Sequence, residues 1–131
     1  ALPLPPEELY YLDSDIIGSC RVYDYEVNAE TVVYDMEKAR GRDPYEIFLA
    51  GPKSLMRIEN PAGPSDRRLI VFRDSFGSSI APLLIEGYGE IILADIRYLS
   101  SDMLGGFIDF DNSDVLFLYS TLVLNNSVTL K

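Results

Sequence analysis

The sequence contains no histidine and no tryptophan, and Cys20 is its only cysteine. A single cysteine excludes a disulfide within the chain, and without histidine the usual ligands of a zinc site are missing. The common catalytic triad of serine, histidine and aspartate cannot be completed from these residues either. Cys20 lies in an alternating stretch, where a small buried apolar residue is the simpler interpretation and a reactive thiol the alternative.

Basic residues are also scarce. Lys and Arg number 11 against 21 Asp and Glu, which gives a net charge of −10. A surface this acidic argues against nucleic acid as a partner, because phosphate binding requires a basic face. No apolar run approaches the roughly 18 residues needed to cross a bilayer, so we expect no membrane span. With 131 residues, 47% hydrophobic and 24% charged, the chain is expected to form one globular domain.

The first residues, ALPLPPEELYYLDSD, show neither an initiator methionine nor the features of a signal peptide. We therefore expect the chain to be the C-terminal part of a longer polypeptide. The prolines of this stretch predict an extended arm or linker over residues 1–18. A single α/β domain is expected to follow over residues 19–131.

The first half of the domain carries turn signals between short alternating segments. Residues 19–36 alternate in polarity on both sides of an Asn-Ala-Glu turn, which predicts an N-terminal β-hairpin. Asp43 can cap a short helix that has Pro44 at its first position and that Gly51 ends. Residues 52–60 are expected to hold a short strand.

The second half alternates between apolar runs and helical spacing. Three apolar runs predict strands that are buried on both faces: 68–72, 90–96 and 114–120. Helical spacing over 78–88, with Ser78 as N-cap, separates the first two, and 100–107 is a short helix or turn before the third. Residues 121–131 are expected to add an edge strand or a last helix. This order predicts an α/β fold with a parallel or mixed sheet and flanking helices.

The candidate site lies where the predicted strands end, because ligands of open parallel sheets bind beyond the carboxyl ends of the strands. Asp74 and Ser75 follow the first of these strands, and Arg97 and Tyr98 follow the second, so we expect the four residues near one another. Ser75 is placed as a nucleophile would be, with backbone N–H groups at the helix N-terminus to bind an oxyanion. Gly77 would let a substrate approach the backbone closely.

Each of these residues also has a purely structural interpretation. Asp74 and Ser75 are common helix-capping residues, and a D-S-x-G string by itself favours the cap. Arg97 suits a carboxylate or a polarised acyl oxygen, but it can equally pair with an acidic side chain such as Asp95. The acidic stretch 109–114 lacks the glycine and the glutamate of an EF-hand loop, so we expect a solvated turn and no metal or cofactor.

Two segments, LIVFRDSFGSSIAPLLIEGYGEIILADIRYL and DVLFLYS, together resemble the C-terminal half of bacterial DHHW-family proteins. That family is similar to the SGNH-hydrolase-like domains of alginate O-acetyltransferases, and the segment DPYEIFLAGPKSLMRIEN is similar to the one that precedes its D-S motif. The resemblance covers residues 40–121. It implies an SGNH-hydrolase-like domain that is extracellular or part of the cell envelope and that transfers or hydrolyses acyl esters on a glycan. Ser75 would match the nucleophile, and Arg97 a residue near the substrate.

The Asp and His that activate the serine in that family lie in an upstream D-H-H-W region, which this sequence lacks. A serine hydroxyl without a general base is a poor nucleophile at neutral pH. The first hypothesis is therefore a fragment or non-catalytic relative of an acyl-ester hydrolase or O-acetyltransferase. The second is a non-enzymatic glycan- or protein-binding module of the cell surface, and the third is a packing domain whose D-S pair only caps a helix. The sequence leaves open whether the chain is an enzyme, and it does not give the oligomeric state.

Overall fold

The computed structural model describes residues 8–126, 128 and 130. Six strands form one sheet in the order β2-β1-β3-β5-β4-β6. The strands are β1 (Arg21–Asp24), β2 (Ala29–Thr31), β3 (Leu55–Glu59), β4 (Arg68–Arg73), β5 (Glu90–Ala94) and β6 (Ser113–Leu118). The α-helices of this part are α1 (Asp15–Ser19), α2 (Gly77–Leu84), α3 (Ser101–Leu104) and α4 (Thr121–Asn125). Short 3-10 helices span Lys38–Arg40, Pro44–Ile47 and Ile85–Gly87.

The sheet is mixed, which confirms the predicted α/β class. β4 lies between β5 and β6 and runs parallel to both. β3 is antiparallel to β5 and to β1, and β1 forms the predicted hairpin with β2. The predicted Asn-Ala-Glu turn is wrong in position: the chain turns over residues 25–28, Ala29 and Glu30 already belong to β2, and β2 ends at Thr31, before the predicted strand residues 32–34. Beyond it, the β-type pairing of Tyr34 is an isolated bridge to Phe48.

Each face of the sheet has its own hydrophobic core, because successive residues of a strand point to opposite faces. Leu69 and Val71 of β4 belong to the cluster that α1 and α2 cover. Ile70 and Phe72 belong to the cluster that α3 covers. Each fully buried aliphatic side chain contributes about 2 kcal/mol of hydrophobic stabilisation, so the apolar run of β4 stabilises both layers.

The prediction that the third apolar run is buried on both faces is wrong. β6 lies at the edge of the sheet, and Val115 and Phe117 are 47% and 64% exposed. Leu116 and Leu118 pack against the first core from the same strand. A continuous apolar run cannot by itself distinguish an edge strand from a central one, since the difference lies in whether a neighbouring strand is present.

The predicted helix over 78–88 exists, but its beginning and its end differ from the prediction. α2 begins at Gly77, so Ser78 lies buried inside the first turn and is not the N-cap. The α-helix ends at Leu84, and the 3-10 helix Ile85–Gly87 continues it. β5 also ends early, at Ala94, and the tail forms α4, the helical alternative of the two predicted for it.

Asp43 caps a short helix with Pro44 at its start, as predicted. Its Oδ1 accepts a hydrogen bond from the backbone N–H of Tyr45 at 3.0 Å. The helix is of the 3-10 type and ends at Ile47, so Gly51 does not end it. Gly51 lies in the following turn with a φ of +97°, a conformation that favours glycine.

The described part of the predicted arm is not extended throughout. Residues 8–14 form neither helix nor strand, but Asp15–Ser19 form α1, whose Ile17 joins the core. Residues 1–7 lie outside the described residues, and the domain boundary at residue 18 stays a prediction. Among the residues that the structure describes, no helix has the length and apolar character to cross a membrane.

Candidate functional site

Charged side chains from two neighbouring strands meet at the carboxyl ends of β4 and β5. Arg73 is the last residue of β4, Asp74 follows it, and Asp95 directly follows β5; all three are buried. Arg97 is close enough to interact electrostatically with both Arg73 and Asp74. The structure therefore brings the Asp74 and Arg97 segments together, as the sequence predicts.

The carboxylate of Asp74 binds backbone and does not face the hydroxyl of Ser75. Its Oδ1 accepts a hydrogen bond from the N–H of Phe76 at 3.0 Å, and its Oδ2 accepts one from the N–H of Ser120 at 2.7 Å. The N–H of Asp74 donates to the carbonyl of Leu118 at 3.2 Å. Asp74 thus ties the turn after β4 to the end of β6 and to the start of α4.

Ser75 is half-buried, and among the described residues its hydroxyl makes no hydrogen bond. The backbone N–H groups of Phe76, Gly77 and Ser78 all donate to acceptors within the turn itself. These are the donors that the sequence offered for an oxyanion, and in this structure they are already occupied. The N–H of Ser75 itself makes no hydrogen bond among the described residues, so it is the donor of this turn that remains for an oxyanion.

Gly77 is required by packing within the protein. It is buried, and a Cβ at this position would lie 2.5 Å from the Cβ of Arg73. Any side chain here would displace Arg73, which passes beneath the start of α2. This packing explains the glycine without a substrate approaching its backbone.

Arg73 is a site residue that the sequence analysis missed. Its guanidinium donates to the carbonyl of Lys53 at 2.9 Å and to that of Asp74 at 3.4 Å. Burial lowers the pKa of Arg73, although the nearby carboxylates of Asp95 and Asp74 oppose that shift. The only sequence signal was an arginine at the end of an apolar run, and such a position is ordinarily solvent-exposed.

Arg97 forms the ion pair that was the structural alternative for it. Its Nε donates to Asp95 Oδ1 at 2.9 Å, and a terminal nitrogen donates to Oδ2 at 2.7 Å. These hydrogen bonds raise the pKa of Arg97. The guanidinium also lies 5.3 Å from the ring centre of Tyr98, which is 66% exposed. Any substrate contact of Arg97 is therefore limited to the N–H groups that Asp95 leaves free.

Tyr45 is a second residue that the sequence analysis missed. Its hydroxyl lies 2.8 Å from Ser79 Oγ and 3.2 Å from the carbonyl oxygen of Ser75. The 3-10 helix Pro44–Ile47 is thereby fastened to the beginning of α2. No sequence signal pairs these segments, because Tyr45 and Ser75 are 30 residues apart.

Tyr119 directly follows β6, at the same carboxyl end of the sheet as the charged cluster. Burial, followed by the negative charge of Asp95, raises the pKa of Tyr119 to about 12. The phenol is thus neutral at physiological pH.

At the opposite end of the sheet, a cleft of about 540 Å³ lies against the amino ends of β4 and β5. Its charged side chains include the ion pairs Arg68–Glu90 and Arg21–Glu59. The acidic stretch 109–114 turns at Asp111 and Asn112, where Asp109 accepts a hydrogen bond from the N–H of Asp111, and its last two residues belong to β6, so the predicted turn is shorter than expected. Within the described part of the chain, no group of three or more acidic or cysteine side chains is arranged to hold a metal ion.

Comparison with known proteins gives matches in structure alone. No family model matches the sequence, and no curated protein does. A DHHW family protein from Eubacterium siraeum shares 24% identity at a TM-score of 0.57, over 79% of this chain and 35% of that one. Bacillus cereus PatB1 shares 24% identity at a TM-score of 0.60, over 80% of this chain and 36% of that one. The structure of Bacillus cereus PatB1 with a sulfonyl adduct shares 23% identity at a TM-score of 0.60, over 80% of this chain and 38% of that one.

These matches confirm at the level of the fold the resemblance that the sequence indicated. The similar region includes most of this chain but only slightly more than a third of each neighbour's length. Activity, substrate and partners of those larger proteins do not follow for this chain from the fold alone.

Proposed function

We propose that this chain is the nucleophile-bearing part of an acyl-ester hydrolase or O-acetyltransferase that acts on a glycan of the cell envelope. Ser75 is the nucleophile, and the general base comes from polypeptide outside the described residues. The observation that carries this proposal is that Asp74 and Ser75 differ in their hydrogen bonds. Asp74 caps the turn, and the hydroxyl of Ser75 remains unused.

A serine that only caps a helix uses its hydroxyl to accept a hydrogen bond from a backbone N–H two or three residues later. In this turn Asp74 Oδ1 accepts the bond from Phe76 ahead of α2, and α2 has no side-chain cap hydrogen bond, so the hydroxyl of Ser75 does not act as its cap. The third hypothesis, a packing domain whose D-S pair is merely a cap, therefore leaves Ser75 without an explanation.

The turn around Ser75 is held from several sides while the hydroxyl itself stays free. Asp74 binds it to the end of β6, Tyr45 binds its carbonyl, and Arg73 fills the space beneath Gly77. A nucleophile benefits from such a support, because a fixed position lowers the entropic cost of attack.

The reaction would proceed by transfer of the acyl group to Ser75. The base removes the hydroxyl proton, Oγ attacks the acyl carbon, and the alcohol of the ester leaves with a proton returned by the base. Water or a glycan hydroxyl then takes the acyl group in a second attack. Neither Asp74 nor Asp95, the buried carboxylates at this end of the sheet, is free to be that base, because Asp74 binds backbone N–H groups and Asp95 binds Arg97.

The sulfonyl adduct of PatB1 supports this choice of chemistry. Sulfonyl reagents modify side chains that are activated nucleophiles, and a serine hydroxyl activated by a base is one of these. An exported protein acting at the cell envelope is the corresponding proposal for the location, and it derives from the family resemblance.

A serine-directed fluorophosphonate probe tests the proposal. We expect no labelling of the 131-residue chain alone, since it has no histidine to act as the base, and labelling at Ser75 when the natural polypeptide that contains this chain is used. Ser75→Ala should abolish the label, whereas Ser65→Ala, at an exposed serine in the cleft at the opposite end of the sheet, should not.

Two results would contradict the proposal. One is a natural polypeptide that is never labelled at Ser75. The other is strong labelling of the isolated chain that Ser75→Ala removes, because it would show that no external base is needed.

A binding module is the second candidate function, and the surface beside Arg97 favours it. Tyr98 lies with Leu122, Val123 and Asn126 around an open depression of about 440 Å³. An exposed aromatic ring beside polar groups suits stacking against a sugar. If the chain is a glycan-binding module, Tyr98→Ala should weaken oligosaccharide binding measured by calorimetry, and Ser75→Ala should leave it unchanged.

A further inference from the structure

The two edges of the sheet differ in how they meet solvent. β2 forms one edge with three residues, of which Ala29 and Glu30 are exposed. β6 forms the other edge with six residues and exposes Val115 and Phe117. Natural proteins protect free edges by keeping them short, charged or covered, since long apolar edges pair with other chains. β2 meets this expectation, and β6 does not.

The apolar surface at β6 continues from the strand onto the adjoining face of the sheet. Phe117 stacks on Phe72 with ring centres 4.9 Å apart and an angle of 19° between the rings. Phe110 lies over Phe72 at 6.4 Å and 17°. Phe110 and Phe117 are both exposed, so the sheet face beside this edge carries two exposed aromatic rings, of which Phe117 is on β6.

The backbone of β6 is paired on one side. Within the part of the chain that the structure describes, its strand partner is β4 alone, from the pair Arg68–Ser113 to the pair Arg73–Leu118. The N–H and C=O groups that point away from β4 are therefore available to a further strand. The side chains of a strand placed there would pack beside Val115 and Phe117 on the same face and reduce their exposure.

We propose that β6 is an interior strand of the complete protein, and that an apolar β-strand from polypeptide outside the described residues pairs with its free edge. The structural neighbours supply the source of such a strand, because the shared region makes up only 35% to 38% of their chains. A second copy of this chain fits the surface less well, since each copy carries a net charge of −10 and two copies would repel each other.

The added strand would end close to the candidate site. β6 leads directly to Ser120, whose N–H is bound by Asp74, the neighbour of Ser75. If the proposed function holds, this edge is also the route by which a base reaches Ser75. The pairing itself does not depend on any catalysis and is tested separately.

Amide hydrogen exchange measures the pairing directly. The 131-residue chain and the natural polypeptide that contains it are compared, residue by residue, across β6 and β2. We expect exchange at the outward-pointing amides of β6 to slow at least about tenfold in the longer polypeptide, because new ladder hydrogen bonds protect them. Exchange at β2 should be the same in both.

A pair of variants supplies a second measure. Phe117→Ser should lower the melting temperature of the longer polypeptide by several degrees more than that of the isolated chain, because Phe117 is largely exposed in the latter. Val27→Ser, at an exposed valine in the turn beside β2, should lower the melting temperatures of the two polypeptides equally or not at all. If Phe117→Ser prevents folding, the exchange experiment on the unaltered protein still decides the question.

Three results would overturn the proposal. The first is equal exchange at β6 in both polypeptides. The second is a natural polypeptide with no residues beyond these 131. The third is a concentration-dependent dimer of the isolated chain that Phe117→Ser abolishes, which would assign the edge to a second copy.

Discussion

The neighbouring residues Asp74 and Ser75 have different functions, although either could cap a helix. Asp74 is fully buried and uses both carboxylate oxygens on backbone N–H groups from two separate segments. Ser75 contributes its carbonyl to the turn and keeps its hydroxyl free. A D-S pair at the end of a strand can therefore combine a structural carboxylate with an available hydroxyl, and the carboxylate is not a catalytic partner by virtue of being adjacent.

Replacing Asp74 by alanine should destabilise the protein strongly. The N–H groups of Phe76 and Ser120 would lose a charged acceptor in a buried position, which costs about 3 kcal/mol for the pair of bonds. Urea unfolding followed by circular dichroism measures the loss. Asp109→Ala is the matched control, because Asp109 accepts a similar backbone hydrogen bond at an exposed turn. Equal losses for the two variants would show that Asp74 does not have the proposed structural function.

Among the strands and helices, the sequence predicted those that depend only on the local pattern of apolar and polar residues. β4 and β5 were found from their apolar runs, and the hairpin from alternation, although its turn lies earlier than the predicted Asn-Ala-Glu. The exposed state of β6 could not be predicted, since it depends on a missing neighbour rather than on the strand itself. The start of α2 was misplaced because Ser78 has the chemistry of a cap, while the N-cap position belongs to Phe76, whose N–H is bound by Asp74 in the turn before the helix.

The sequence likewise predicted only that part of the candidate site which depends on local spacing. Spacing along the chain placed Asp74 and Arg97 at adjacent strand ends, and the structure agrees. It could not indicate Tyr45, which reaches the Ser75 turn from a distant segment, or Arg73, whose burial depends on the glycine above it. Pairings between distant segments are decided by tertiary packing, so a single sequence carries no direct signal for them.

The contact between the Pro44–Ile47 helix and α2 depends on one phenol. Tyr45→Phe removes the hydroxyl next to Ser79 Oγ and the Ser75 carbonyl, so we expect a loss of about 1 kcal/mol of unfolding free energy. Hydrogen exchange in the first turn of α2 should become faster at the same time. Tyr98→Phe, at an exposed tyrosine, is the control and should leave both measurements unchanged. A Tyr45→Phe protein as stable as the control would mean that apolar contacts of the ring alone hold the two segments together.

At the scale of the whole molecule, the excess of acidic residues limits the stability of the fold at high pH. The chain carries a net charge of −10 at pH 7, and it contains nine tyrosines that add further negative charge when they ionise. Self-repulsion of this kind opposes a compact state. The tyrosines whose ionisation costs most are those whose pKa the fold raises, and burial raises the pKa of Tyr119 to about 12.

We therefore expect the protein to lose stability progressively as the pH rises from about 10 to about 12. Tyr119 has a raised pKa in the folded state, so its contribution is complete below the unfolded value of 10.0 and is lost as the pH passes through the folded value of about 12. Burial also raises the pKa of Tyr34 in the same direction. Urea midpoints measured between pH 7 and pH 12, together with the ultraviolet absorbance of tyrosinate, test this expectation. Tyr119→Phe should retain more of its neutral-pH stability at the alkaline end than the unaltered protein does. If Tyr119 instead ionises together with the exposed tyrosines, then the end of β6 is more open to water than this structure shows.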